Sequence, residues 1–284
     1  MTTKNTLKTV ALLGLLSAIL LIGGQAIAGR NGLYIGLAMA VIMNFVSYFY
    51  SERIALSMYN AQPVTPTENP DIYRRVQPIV ANLAQRMGIP MPKLWVIPEE
   101  SPNAFATGRN PSHSSVAFTS GILQLMDDRE LEGVIAHELG HVLNRDILTS
   151  SIAATIAAAI TQLSYMAMFF GGRRDDEDRG GGGLGALFML ILGPIAATLI
   201  QLAISRTREY SADATSAKYT GDPNELISGL RKLETYSKRI PMEATPATAH
   251  LFIIKPFTGG NLMMKLFSTH PSTADRIARL QAMR

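Results

Sequence analysis

Residues 134–144, "VIAHELGHVLN", set two imidazoles four positions apart with a carboxylate beside the first. Positions four apart on a helix share a face, so His137 and His141 can reach a single metal ion. Glu138 is offset by one position, near enough to act on a metal-bound water without being a ligand. The chain contains no cysteine, which leaves His and carboxylates as the donors available to a metal and excludes disulfides. Two helical histidines can also arise by chance on a solvated surface. Two of only five histidines falling at metal spacing favours the metal. A catalytic zinc needs a third protein ligand and an open fourth position for water. The pool for that ligand is His113, His250, His270 and the acids.

The flanking residues predict the helix that the motif requires. Asp127, with Glu130 three residues on, is an N-terminal capping signal. Leu131, Ile135, Leu139 and Val142 form an apolar stripe facing away from the histidines. Gly133 and Gly140 flank the histidine face and would let a ligand or another backbone come close. Upstream, "PDIYRRVQPIVANLAQRMG" has helical apolar spacing. The Pro-flanked "KLWVI" and the later "SSVAFTS" read as short strands, and "SPNAFATGRN" is loop-like at its ends. Beyond residue 205 the chain reads as helical through Lys238, then irregular, then helical again.

Apolar residues make up 47% of the chain and charged ones 17%, against about 25% charge in soluble domains. That deficit points to a membrane. The net charge of +4 is dispersed, with no basic stripe interleaved with aromatics, so nucleic acid is not an expected partner. Four windows approach the roughly 20 apolar residues that span a bilayer. They lie at about 9–28, 32–50, 147–170 and 184–204. The second ends in a Tyr/Phe cluster typical of an interface belt. The third is punctuated by Ser, Thr and Gln, and a half-buried helix in the interface is its alternative. The first also carries the features of a signal peptide, Lys4, Lys8 and "AIA" at 26–28, but its length favours an uncleaved anchor. The Lys/Arg bias favours four crossings with both termini cytoplasmic, although the three arginines in "GGRRDDEDRGGGG" argue weakly against it.

The expected organisation is therefore two transmembrane helices in 1–50, half of a soluble domain in 51–146, a membrane hairpin in 147–204 and the other half in 205–284. A hairpin would bring residues just past its end back to His141. Glu209 and Asp213, four apart in "SRTREYSADATS", then share a helix face. One can ligate metal while the other receives a ligand histidine's N–H. The acidic run at 175–178 would be stranded across the bilayer.

Taken in order, "NAFATG", "HELGH", "NRD", a membrane hairpin, "REYSAD" and "STHPSTADRIARL" resemble the HtpX family of membrane zinc metalloproteases. The wider group includes the prenyl-protein-processing zinc proteases. The resemblance covers essentially the whole chain. It implies a mainly α integral membrane protein, with four transmembrane helices and a gluzincin-type α+β protease domain split by the hairpin. It also implies one Zn2+ per chain held by His137, His141 and Glu209, with Glu138 as catalytic base. The role implied is quality control of unfolded or damaged membrane proteins in the bacterial inner membrane, a stress-response activity, with the protease domain cytoplasmic.

The chemistry expected is hydrolysis of a peptide bond by an activated water, with Glu138 taking the proton and returning it to the leaving amine. Asn103, Ala104 and the rest of "NAFATG" would form the rim where an extended substrate pairs with a strand edge. His270 is a candidate for stabilising the oxyanion, and a turn histidine before Pro271 is its plainer reading. Arg276 is a candidate partner for Asp213 or its neighbours. His113 and His250 lack metal spacing. Asp128, Arg129, Glu130 and Glu132 place too much charge on the motif helix for mid-bilayer cleavage. The rival of another class is a non-enzymatic scaffold or holdase with a structural zinc closed by four protein ligands.

Overall fold

The computed structural model of the chain describes residues 3–153, 156, 206–237, 253 and 271–283. The first element, α1 (Thr3–Met58), contains both N-terminal apolar windows. It is folded back on itself at Gly29, where φ is +56°. Asn44 Nδ2 donates to Ser17 Oγ at 2.9 Å, and Gly36 lies against the backbone of Leu20. A straight helix would hold residues 27 apart at roughly 40 Å, so the two windows are antiparallel arms. The second arm, Gly29–Met58, is long and apolar enough to cross a bilayer, and the apolar helix of the first, Thr6–Ile22, is shorter. Almost all of the large apolar side chains left exposed lie on α1; Met91 and Met283 are the exceptions among the described residues.

The start of the third window, 147–153, is helical and packs on the first arm. Leu148 and Ile152 sit against Leu12 and Leu16. Its polar residues have partners at this end: Thr149 Oγ1 lies 3.3 Å from Thr9 Oγ1, and Ser151 Oγ lies 2.8 Å from Thr107 Oγ1. The rest of that window, the Gly-rich link with its acidic run, and the fourth window lie outside the described residues.

After α1, the chain forms β1 (Gln62–Pro63), α2 (Pro70–Met87), β2 (Lys93–Ile97), β3 (Ala104–Asn110) and β4 (His113–Thr119). The strands make one mixed sheet in the order β1-β2-β4-β3. The β2–β4 pair is parallel and the β3–β4 hairpin antiparallel, which leaves β3 at one edge. The segment "NAFATG" is thus strand from Ala104 onward, with the loop confined to the residues before it. Helices α3 (Ser120–Leu125), α4 (Asp128–Leu143), α5 (Arg206–Thr220), α6 (Pro223–Ser237) and α7 (Thr273–Gln281) complete the described fold. The architecture beside α1 is α+β, with α4 at its centre.

The sequence explains why α4 is central. Its capping box forms as the spacing predicts: Asp127 Oδ1 accepts from the backbone N–H groups of Arg129 and Glu130, and Glu130 Oε2 accepts from that of Asp127. Leu131, Ile135, Leu139 and Val142 are fully buried. The opposite face is buried too. A Cβ on Gly133 would stand 2.6 Å from the backbone nitrogen of Leu226 in α6. One on Gly140 would stand 3.3 Å from Cα of Ala212 in α5. The two glycines therefore admit two neighbouring helix backbones, one at each end of the histidine face.

Candidate active site

His137 and His141 project from one face of α4, their ring centroids 4.9 Å apart and nearly perpendicular. Helix α5 lies across that face. It buries Glu209, Ala212, Asp213 and Ser216 at helical spacing, and Ser216 Oγ bonds the carbonyl of Gly133 at 2.7 Å. This docking brings Glu209 between the imidazoles, its two oxygens 3.6 Å from His137 Nε2 and 3.6 Å from His141 Nε2. All three donor atoms lie within 4.8 Å of one another. Tetrahedral donors at about 2.0–2.1 Å from a zinc-sized ion stand about 3.4 Å apart, so the cage has the right scale and donor chemistry for a divalent metal. Among the described residues no fourth His or acid joins it.

Each donor is oriented from behind. His137 Nδ1 lies 2.9 Å from Asp213 Oδ1, which fixes the proton on Nδ1 and leaves Nε2 facing Glu209. Asp213 is itself held by Arg276, whose Nε and Nη2 reach its two oxygens at 2.9 and 2.6 Å. Both residues are 1% exposed, and the third guanidinium nitrogen donates to the carbonyl of Ile253 at 2.7 Å. Behind His141 the chain leaves α4 through Arg145, at φ +59°. This turn swings Asp146 back until its carboxylate is 3.4 Å from His141 Nδ1. The guanidinium of Arg208 stands 3.9 Å from the other oxygen of Asp146.

Glu138 points the other way round α4, toward the sheet. Its Oε2 accepts the backbone N–H of Ala106, in edge strand β3, at 2.9 Å. Because residues two apart on a strand present their backbone groups to the same side, Ala104 faces that edge as well. Ala104 is buried and pairs in register with Phe118. Asn103 is buried too: its N–H bonds Thr119, and its side-chain oxygen accepts the N–H of Ile253 at 3.2 Å. In this structure the Asn103 side chain therefore engages the chain's own backbone. His270 and His250 lie outside the described residues, and His113 is exposed at the start of β4.

The electrostatics follow from burial and pairing. Burial lifts the Glu138 carboxyl above its ordinary range. Burial would also lift Asp213, but Arg276 and the bond from His137 outweigh it and hold the carboxyl low. For His137, burial and Arg276 push downward. Its bonds to Asp213 and Glu209 win and raise it to about 9 in the metal-free chain. A metal binding there must displace that proton.

Three partnerships had no signal in the motif spacing. Asp146 is five residues from His141, which is not a helical repeat, and only the left-handed turn at Arg145 makes the contact. The Ala106 N–H and Ile253 carbonyl are main-chain groups that a reading of side chains passes over. Asp146 is nonetheless the acid of "NRD", a segment that already carried the family resemblance.

A two-histidine, one-glutamate metal cage, with a neighbouring helical carboxylate bonded to an edge strand, is the arrangement of a metallopeptidase. Comparison with known proteins agrees. Residues 70–284 match the model of Peptidase family M48, and the chain belongs to that family. It is 50% identical over 281 residues to a "Protease HtpX homolog" of Desulforapulum autotrophicum, covering 98% of this chain and 89% of that protein. Another, from Thermodesulfovibrio yellowstonii, is 52% identical over 282 residues, with 98% of both chains covered. Among solved structures, S. mikatae Ste24p superposes with a TM-score of 0.52 at 19% identity. The match takes in 98% of this chain but 64% of that one, and it establishes a shared fold. The chain is a metalloprotease, and its α1 is consistent with association with a membrane.

Proposed function

We propose that this chain is a membrane-bound, zinc-dependent endopeptidase. It hydrolyses peptide bonds of unfolded or damaged membrane proteins at the cytoplasmic face of the bacterial inner membrane, anchored by four spans. The observation that carries the reading is the position of Glu138. Its carboxylate accepts the N–H of the edge strand and feels the charges of all three cage residues, which is what a base serving a metal-bound water needs.

In this mechanism His137, His141 and Glu209 would hold one zinc per chain, which when bound would supply Lewis acidity to a water and to the scissile carbonyl. An extended peptide adds along the edge of β3, so affinity comes from main-chain hydrogen bonds and makes little demand on sequence. Glu138 exchanges its Ala106 bond for the attacking water, takes its proton, and returns it to the leaving amine. Asp213 keeps His137 in the tautomer that offers Nε2, and Arg276 keeps Asp213 ionised to do so.

The test compares wild type with Glu138→Gln in detergent, following bound zinc and cleavage of casein. The amide oxygen of Gln can still accept from Ala106, so the fold should survive. The expected result is retained zinc with cleavage reduced by about 10²–10⁴-fold. Zinc bound by both proteins with cleavage by neither would favour the scaffold with a structural metal.

A further inference from the structure

A cleft of about 680 Å³ lies between the second arm of α1 and the sheet. We infer that this cleft is a binding site for the phosphate headgroup of an anionic phospholipid. The inference rests on reading α1 as a membrane helix, as proposed above.

Three observations converge. First, the cleft opens at the end of the arm that is long enough to span, among Phe45, Tyr48, Phe49 and Tyr50. Aromatic side chains at that level mark the boundary between hydrocarbon and headgroups. Phe45 and Phe49 are 55% and 47% exposed, an apolar surface beside which acyl chains can lie.

Second, the polar wall is cationic. Arg53, Lys93 and Arg109 all line the cleft, against one acid, Glu52. That acid is already engaged, accepting from Ser115 Oγ at 2.7 Å and standing 3.5 Å from Lys93 Nζ.

Third, the two arginines are held ready for an anion. Arg109 stacks 5.4 Å above the ring of Phe49, and Arg53 lies 5.7 Å from that of Tyr50. Among the described residues neither has a carboxylate partner. Guanidinium groups fixed on aromatic faces with their N–H forks free suit the oxygens of a phosphate. A peptide substrate would be served by an open strand edge, which this wall does not offer.

The site also touches the proposed chemistry. Arg109 lies in β3 three positions beyond Ala106, whose N–H holds Glu138. A headgroup bound to Arg109 therefore braces the strand that substrate would join.

Trp95 lines the cleft and is the chain's single tryptophan, so its fluorescence reports on this site alone. The full chain is reconstituted into phosphatidylcholine vesicles containing increasing brominated phosphatidylglycerol, or brominated phosphatidylcholine, and quenching of Trp95 is followed. Wild type should prefer phosphatidylglycerol by about tenfold or more, as expected for cations acting together on one anionic headgroup. Arg53→Gln with Arg109→Gln should abolish the preference, and Arg53→Lys with Arg109→Lys should retain part of it. Inorganic phosphate should not relieve the quenching; relief would assign the site to a soluble phosphate and overturn the lipid. Protection of Trp95 by unfolded casein would overturn it in favour of peptide. Equal quenching by the two lipids, in a chain that floats with the vesicles, overturns this inference and leaves the membrane reading intact. A chain that does not float overturns the membrane reading itself.

Discussion

Helix α4 buries its apolar stripe and its histidine face inside the protein, whereas α1 leaves Ile35, Val41 and Ile42 at least 60% exposed. Both helices are rich in apolar residues, but they meet different surroundings. For α4 the surroundings are other helices and a sheet edge, so each polar group must find a fixed protein partner. Glu130 shows how fully this is done: Lys232 Nζ reaches it at 2.5 Å and Ser228 Oγ at 2.6 Å, in addition to its capping bond. For α1, by our reading, the surroundings are largely lipid, and close packing is limited to the seam between its arms, the start of the third window and the sheet beside Leu56. The contrast teaches where precision is needed. A metal cage tolerates little displacement, whereas an anchor needs only enough length and apolarity.

Substitutions at the two helices should separate along this line. Arg276→Ala leaves the buried Asp213 charge without its partner, and should cost roughly 3–5 kcal/mol by thermal or denaturant unfolding. A loss under 1 kcal/mol would show that the α4–α5–α7 junction is far looser than its geometry. Gly133→Ala drives a methyl into the backbone of α6 and should cost about 1–3 kcal/mol. A neutral result would mean that α6 can retreat from α4.

Glu225, at the same α4–α6 contact, gives a pH signature. Burial, Glu132 and Asp222 raise its carboxyl from 4.5 to about 7, with Arg129 and Arg86 opposing. The folded state therefore holds a proton that the unfolded state releases between about pH 4.5 and 7, and stability falls as pH rises through that window. Glu225→Gln should flatten this dependence, unfolding later than wild type at pH 8 and alike at pH 4. An unchanged profile would remove Glu225 as its source. The smallest effect belongs to α1: Ile42→Ser should change unfolding in detergent by no more than about 0.5 kcal/mol. A larger loss would show that this face is packed against protein, which would break the comparison.

The same contrast governs how much could be read from the residues. Helix α4 was legible because capping, periodicity and the histidine spacing agree within one segment. The two parallel strands were legible from short β-rich runs between turn residues. The turn at Gly29 was visible only as a gap between two apolar windows. What joins α4 to α5 was less accessible, since Glu209 and Asp213 share a face by spacing but their distance from His137 depends on the tertiary fold. Spacing alone left open which of them faces a metal, and the family resemblance pointed to Glu209; the structure has Glu209 between the imidazoles and Asp213 behind one of them. The contacts of Asp146 and Ile253 depend on backbone geometry and had no side-chain pattern to betray them.

The separation of the cage along the chain has a consequence for synthesis. A ribosome completes α4, with both histidines in place, well before it reaches Glu209, and Arg276 comes later still. A nascent chain can therefore fold its histidine helix without owning a complete set of donors. The donor set closes only after the intervening apolar segments have been made, so a half-built molecule lacks the centre with which to cut its neighbours or itself.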